Sequence, residues 1–300
     1  MPKRLSLALV CAATLACSGP APAFQQLERL STFTWNNADD PNFGGFSALE
    51  ISDDGLSFVA VSDRAGFVEG TLERSGGKIV GVTAGHVRPL LSPEGIPLRD
   101  QQSDSEGLAI AADGTAYLSF EAENRISKLS LATGITEAIV RPPVFYDLQL
   151  NSGLEALALD PQGRPITIPE RSGKLERPFP VYRLDGTTWS TPYSVRRDGP
   201  YLIVGADTGP DNRLYVLERD FSGIFGFSSR VRSFAFGDDS LNDERLLMQS
   251  RTGQFDNLEG ISVWRDEDDE IRVTMISDDN QIILQRTEFV EFRVPRGDSR

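Results

Sequence analysis

Cysteine is almost missing from this 300-residue chain: Cys11 and Cys17 both fall in an N-terminal stretch that reads as a leader. The sequence after that stretch has no thiol, which excludes disulfide staples, a cysteine nucleophile and zinc–sulfur sites. Histidine is as scarce. His86 stands alone, so a multi-histidine metal site cannot form. Basic charge is also short, with 30 Lys and Arg against 44 Asp and Glu; setting aside Lys3 and Arg4 leaves 28 against 44. That balance disfavours nucleic acid and anionic membrane as partners and favours solubility and hard cations. Past the leader, no apolar run approaches the roughly 20 residues of a membrane span. Helical periodicity is rare too: few stretches place apolar residues at i, i+3 and i+4 over a dozen positions.

The leader has Lys3 and Arg4 at its start, mostly apolar residues from 5 to 17, and Ala21-Pro22-Ala23 as a small-x-small cleavage site. This is the pattern of a secretory signal peptide. Residues 1–23 are expected to be removed, leaving 24–300 as one periplasmic or secreted, monomeric domain. The alternative makes Cys17 a lipidated first residue after Leu15-Ala16, although Thr14 stands where such sites carry Leu. A domain of this size buries roughly 70–75% of its unfolded surface, so a core without disulfides is feasible.

What the chain does have is alternation with period two: Leu108 and Ile110, Leu118 and Phe120, Leu157 and Leu159, then Ile271, Val273 and Met275. Turn signals separate these runs, among them Asp53-Asp54-Gly55, Asp113-Gly114, Asp160-Pro161-Gln162-Gly163 and Pro210-Asp211-Asn212. Short strands joined by such turns are hairpins. One phrase recurs at their head: Glu106-Gly107-Leu108, Glu155-Ala156-Leu157 and Glu259-Gly260-Ile261, with Ser47-Ala48-Leu49 as a variant. A fourth copy has Ile203-Val204 where the others have the acid. The following strand ends on Asp63, Glu121, Glu170, Glu218 or Asp278, and Arg64, Arg171 and Arg219 come next in three copies.

Copies therefore begin near residues 47, 106, 155, 203 and 259. Each interval holds four strands, the content of a propeller blade. The expected fold is all-β: a single β-propeller of five blades of four antiparallel strands, with six as the alternative. The segment from Leu27 to Trp35 is expected to complete the last blade beside residues 281–294. The small residue after each acid has a packing explanation, because inner strands crowd where blades converge. The acid itself has none.

A tight turn joins the first two strands of each copy, so the start of one and the end of the next are cross-strand neighbours. Repeated around the ring, this gathers Glu106, Glu155 and Glu259 with Asp63, Asp278 and Asp279 on one rim as candidate ligands of a cation. Glu155, Glu170 and Glu218 are the candidate catalytic carboxylates. Arg64, Arg171 and Arg219 have two readings: partners in a purely structural lattice, or bidentate anchors for an anionic ester. Ca²⁺ takes six to eight oxygen ligands from such clusters and is the expected cofactor.

Four phrases carry a resemblance to a known family: Gly-Leu-Glu-Ala-Leu-Ala-Leu-Asp at 153–160, Leu-Glu-Arg-Asp at 217–220, Val-Ser-Asp-Arg at 61–64, and Asn-Leu-Glu-Gly-Ile-Ser at 257–262 with Ile-Ser-Asp-Asp-Asn at 276–280. In this order they resemble the phytase-like propellers labelled "esterase-like activity of phytase". The resemblance spans nearly all of the chain after the leader and implies phosphoester or ester hydrolysis; it supplies no catalytic set. A Ca²⁺-dependent lactonase or carboxylesterase propeller is one alternative, and a non-catalytic periplasmic binding propeller is another. Other constellations are poor. There is no Gly-x-Ser-x-Gly elbow, Ser75-Gly76-Gly77-Lys78 sits in an apparent hairpin turn, and the acidic run 266–270 reads as a solvated turn.

Overall fold

The computed structural model describes residues 23, 24, 26–282 and 284–296; apart from Ala23, the leader and the Cys17 acylation site lie outside them. Five antiparallel sheets follow one another in sequence. The inner strands are Phe46–Ile51, Ser105–Ile110, Leu154–Leu159, Leu202–Thr208 and Asn257–Arg265, so each repeated phrase opens a blade. Blade five is completed by an early strand, Glu28–Thr34, antiparallel to Glu288–Arg293. Pairing the two ends of the chain in one sheet closes the ring. A sixth blade is not present among the described residues.

Apolar residues of facing sheets form one cluster at each junction between neighbouring blades. The closing junction, between blades five and one, is aromatic. Trp35 stacks on Phe46 at 5.1 Å and meets Phe58 and Phe43 edge-on at 5.4 and 4.8 Å. Trp35 lies just after the closing strand, so this contact ties the early segment to blade one as well as to blade five. Behind it, Arg74 forms a bidentate pair with buried Glu291 at 2.8 Å and lies over the Trp264 ring at 4.7 Å.

Each inner strand slips in register against its partner near the same place. The shifts fall between Phe46 and Ala48, Ser105 and Leu108, Leu154 and Ala156, Ile203 and Gly205, and Leu258 and Gly260. The repeated position is thus part of a β-bulge in all five blades, at Ser47, Glu106, Glu155, Val204 and Glu259. A bulge strengthens local twist and re-aims the side chain it carries.

The residue after the bulge is small because a neighbouring backbone lies against it. A methyl group on Gly107 would sit 2.7 Å from the Glu155 carbonyl of blade three, and one on Gly260 would sit 2.9 Å from the Leu49 nitrogen of blade one. Side-chain hydroxyls bridge the same seam: Ser47 donates to the Ser105 carbonyl at 2.7 Å and Ser119 to the Glu155 carbonyl at 3.0 Å. Gly107→Ala is expected to cost about 1–3 kcal/mol by overpacking. Gly85→Ala, where nothing lies within 4 Å, should change stability by less than about 0.5 kcal/mol. Urea unfolding of the two variants checks the contrast.

Candidate functional site

The bulged glutamates converge at one mouth of the central channel. Their surroundings divide into two parts with different charge compensation. On one side, Asp104, Glu106 and Glu121 each bring a carboxylate oxygen to within 4.8 Å of the others. Asp104 precedes the inner strand of blade two, Glu106 sits on its bulge, and Glu121 follows the second strand. Glu121 also accepts a hydrogen bond from Gly153 N–H at 2.8 Å, which joins this group to blade three. Among the described residues no Lys, Arg or His forms an ion pair within 4.0 Å of any of the three.

On the other side, Arg219 compensates its neighbours. Its guanidinium pairs with Glu259 and reaches Asn257 Oδ1 at 2.7 Å and Glu170 Oε1 at 3.5 Å. Asn257 in turn donates to Glu259 at 2.9 Å and to Asp278 at 3.3 Å. One arginine therefore links blade three to blade five across the rim of blade four.

Proton affinity follows this geometry. Burial pushes Glu106 and Glu155 well above the ordinary carboxylate range, with mutual repulsion and the charge of Glu259 adding to it. Glu121 is pushed to about 7 and Asp278 to about 8, in both cases by burial first and neighbouring carboxylates second. Glu259 is raised by burial against the opposing pull of Arg219. Asp63, more open, is raised to about 6 by burial and by Glu259 and Asp104, with Arg64 pulling it down.

The expected site residues separate accordingly. Glu106, Glu155, Glu259, Asp63 and Asp278 act on one another electrostatically at the same mouth. Asp279 also adds its charge to that of Asp278, while its Oδ1 accepts Gly45 N–H at 3.1 Å and Gln281 N–H at 3.0 Å, and its Oδ2 accepts the Thr287 hydroxyl at 3.2 Å. These bonds brace the loop. Arg171 lies at the rim, half exposed, donating to Ser152 Oγ at 2.8 Å and Glu170 Oε2 at 3.2 Å. Arg64 is farther out, bonded to Gln281 and 3.8 Å from Asp63.

Glu218 is a correction. Adjacent strand residues face opposite ways, and with Arg219 aimed at the mouth, Glu218 turns into the blade. There it is fully buried and receives hydrogen bonds from Arg230 at 2.8 and 3.0 Å and from Arg232 at 2.7 and 2.6 Å. It is a structural ion-pair centre, not a catalytic carboxylate. Glu218→Gln should lower stability by roughly 3–5 kcal/mol by leaving two buried guanidinium groups undercompensated, seen as an earlier urea midpoint. Conversely, sequence reasoning passed over Asp104. Its signal was present: it stands two residues before Glu106, on the same face of an extended chain.

A cavity of about 970 Å³ opens at the opposite mouth, where the inner strands end near Glu50, Ile110, Leu159, Asp207 and Val263. Glu50 accepts Ile110 N–H at 3.2 Å and lies 3.4 Å from the Ser262 hydroxyl, while Asp207 accepts Val263 N–H at 2.5 Å and Thr208 N–H at 2.6 Å. These two carboxyls satisfy backbone donors on neighbouring inner strands, so cavity size alone does not locate the chemistry. Burial raises Asp207 to about 7; burial, then Asp207 and Asp53, raise Glu50 well above its ordinary range. The folded state then holds protons that the unfolded chain releases above about pH 4, so stability is lost as pH rises from there through 7. Glu50→Gln keeps the hydrogen-bonding shape and removes the charge. It should stabilise the protein by roughly 1–3 kcal/mol at pH 8 and by almost nothing at pH 4, measured by urea unfolding at both.

Comparisons with known proteins bear on the same frame. The phytase-like family model, described as esterase-like activity of phytase, matches residues 41–281. No curated protein matches the chain. The PQQ-bound aldose sugar dehydrogenase of Streptomyces coelicolor aligns at 11% identity over 92% of this chain and 100% of its own, with a TM-score of 0.51. The α-L-arabinofuranosidase of Podospora anserina, in complex with cellotriose, aligns at 12% identity over 91% and 98%, with a TM-score of 0.54. A candidate gluconolactonase aligns at 14% identity over 92% and 96%, with a TM-score of 0.47. At such identities the first two likenesses concern the fold alone. The family match covers most of the chain, including every inner strand and the bulged acids they carry: the protein belongs to the phytase-like family of propellers.

Proposed function

We propose that this protein is an exported, cation-assisted hydrolase of phosphoesters or other esters, working at the acidic mouth of its propeller. The observation that carries the reading is the uncompensated trio Asp104, Glu106 and Glu121. Several other buried acids have arginine partners: Glu259 and Glu170 have Arg219, Glu218 has Arg230 and Arg232, and Glu291 has Arg74. A structural lattice built on arginine stops short of this trio. Its donors are all oxygen, which suits a hard cation such as Ca²⁺. Export rests on the leader-like pattern of residues 1–23.

Asp104, Glu106 and Glu121 would hold the ion, with further oxygens coming from water or substrate. When bound, a divalent cation neutralises an anionic ester and polarises the bond to be broken. The chain's own groups supply the rest. Arg171, at the exposed edge of the mouth, binds the anionic group. Glu170 holds Arg171 and Arg219 in place, which makes it a positioning residue. Glu155 in its ionised form takes a proton from the attacking water, its raised proton affinity making that carboxylate a stronger base. The water oxygen bonds to phosphorus, or to the acyl carbon of a carboxylester; the ester bond to the alcohol oxygen breaks, and that oxygen leaves with the proton.

Calcium titration of the metal-stripped protein, followed by turnover of a phosphomonoester and a carboxylester, tests this. Because carboxyls at this mouth hold protons near neutrality, Ca²⁺ binding at pH 7 should release protons, visible as a buffer-dependent heat. Glu106→Gln and Glu121→Gln should each weaken Ca²⁺ binding at least about tenfold. Arg171→Ala should raise KM more than it lowers kcat. A protein that binds no calcium and cleaves neither ester is not this hydrolase, and a binding propeller would then be the better reading.

A further inference from the structure

Beside the charged mouth lies an apolar groove that the hydrolase reading leaves unused. The recess around Glu170, Arg171 and Arg219 has a volume of about 300 Å³ and runs into a second hollow of about 710 Å³; Phe221, Phe227 and Asn280 line both. Two loops form the walls of the second hollow. One follows the second strand of blade four and presents Phe221 and Ile224, 64% and 96% exposed; the other follows the second strand of blade five and presents Ile282 and Leu284, 54% and 89% exposed. Phe255, buried, is at its base.

These loops are built, not merely hydrophobic by accident of composition. In the first, Ser222 N–H donates to the Gly226 carbonyl at 2.9 Å and Gly253 N–H to the Phe227 carbonyl at 2.8 Å. Gly223 and Gly226 adopt φ of +61° and +89° to make the turn. The Phe221 and Phe227 rings pack at 5.0 Å, and Arg219 lies 5.7 Å from the Phe227 ring centre. In the second, Ile282 N–H donates to the Asp279 carbonyl and Gln285 N–H to the Ile282 carbonyl, both at 2.8 Å. Large apolar side chains gathered on opposed walls, rather than scattered singly, mark a binding surface.

We infer that the substrate of this mouth is an anionic ester with an apolar body, whose charged group meets Arg171 and whose chain or ring lies between Ile224 and Leu284. The inference rests on the hydrolase reading for the ester and on the groove for the apolar part. Charge argues for a single anionic group. Among the described residues Arg171 and Arg219 are the cations of the recess, both already paired with Glu170, and Asp220 shares the wall; in the second hollow Arg29 and Arg286 are matched by Asp256 and Glu288. A polyphosphorylated sugar, bringing about −1.5 to −2 charges per phosphate, would meet no excess of guanidinium groups over carboxylates and leave the apolar walls uncovered.

Two readouts on the calcium-loaded protein separate this inference from the reading beneath it. The first is calorimetric binding of ethylphosphonate and octylphosphonate, which cannot be hydrolysed; the second is turnover of ethyl and octyl phosphate. Full burial strengthens binding about fourfold per methylene, and for a groove open on one side the octyl compound should bind at least about thirtyfold tighter. The double variant Ile224→Ser/Leu284→Ser should cut the octyl-to-ethyl ratio at least about tenfold. Ile96→Ser, an exposed apolar residue remote from the groove, should leave that ratio alone. Octyl preference without turnover would sustain the groove and sink the hydrolase. Equal affinity for both phosphonates, or an octyl preference unaffected by the double variant, overturns the inference. So does a double variant that loses only its binding to phosphatidylcholine vesicles, which would make the apolar walls a membrane contact.

Discussion

Crowding at the axis is the constraint on which the rest of the molecule depends. Five inner strands meet around a channel so narrow that, at its waist, Gly107, Gly205 and Gly260 face the backbone of the next blade. No side chain fits there without displacing a strand. The bulge beside each small residue is part of the same arrangement: it bends the inner strand and turns one side chain per blade toward the mouth. Packing and chemistry therefore share one short phrase. The Gly or Ala permits the ring to close, and the residue before it is carried to the one place where all blades meet.

Such convergence creates an electrostatic problem that the fold handles unevenly. Like charges brought together out of water raise each other's proton affinity, and burial adds to that. At Glu259 and Glu170 the answer is arginine, and deeper in the blades the same answer serves Glu218 and Glu291. Buried pairs of this kind add little net stability over apolar packing, but they are costly to break. At Asp104, Glu106 and Glu121 no arginine arrives. There the folded chain retains protons, Glu121 being raised to about 7 by burial and by its neighbouring carboxylates.

Much of this was legible in the sequence because repeats multiply a weak signal. The five phrases located every inner strand, and antiparallel pairing placed Glu106 near Glu121 and Glu155 near Glu170 before any coordinates. The register shifts were not legible. A bulge adds no characteristic residue here, since Glu, Ser and Val all occupy it, and so the reason the acid points inward was hidden. Glu218 was misassigned for a related reason. Its neighbour Arg219 marks the end of the strand equally well, and only the facing of that strand decides which of the two reaches the mouth. Asp279 looked like Asp278 in sequence, yet a turn separates a mouth carboxyl from a loop brace.

The irregular members of the repeat explain how the ring tolerates its own symmetry. Five bulged glutamates would place five acids at one mouth with nothing between them. Blade one has Ser47 instead, and its hydroxyl serves the seam by bonding to the Ser105 carbonyl. Blade four has Val204, and the same blade supplies Arg219, opposite Leu202 on the paired strand. Blade four, one of the two that lack the acid, sends a base that reaches both ways, to Glu170 in blade three and Glu259 in blade five. Blade two then faces the mouth with three carboxyls that, among the described residues, have no ion-pair partner. The asymmetry gathers arginine compensation on one side of the mouth and leaves the carboxyls of blade two without it.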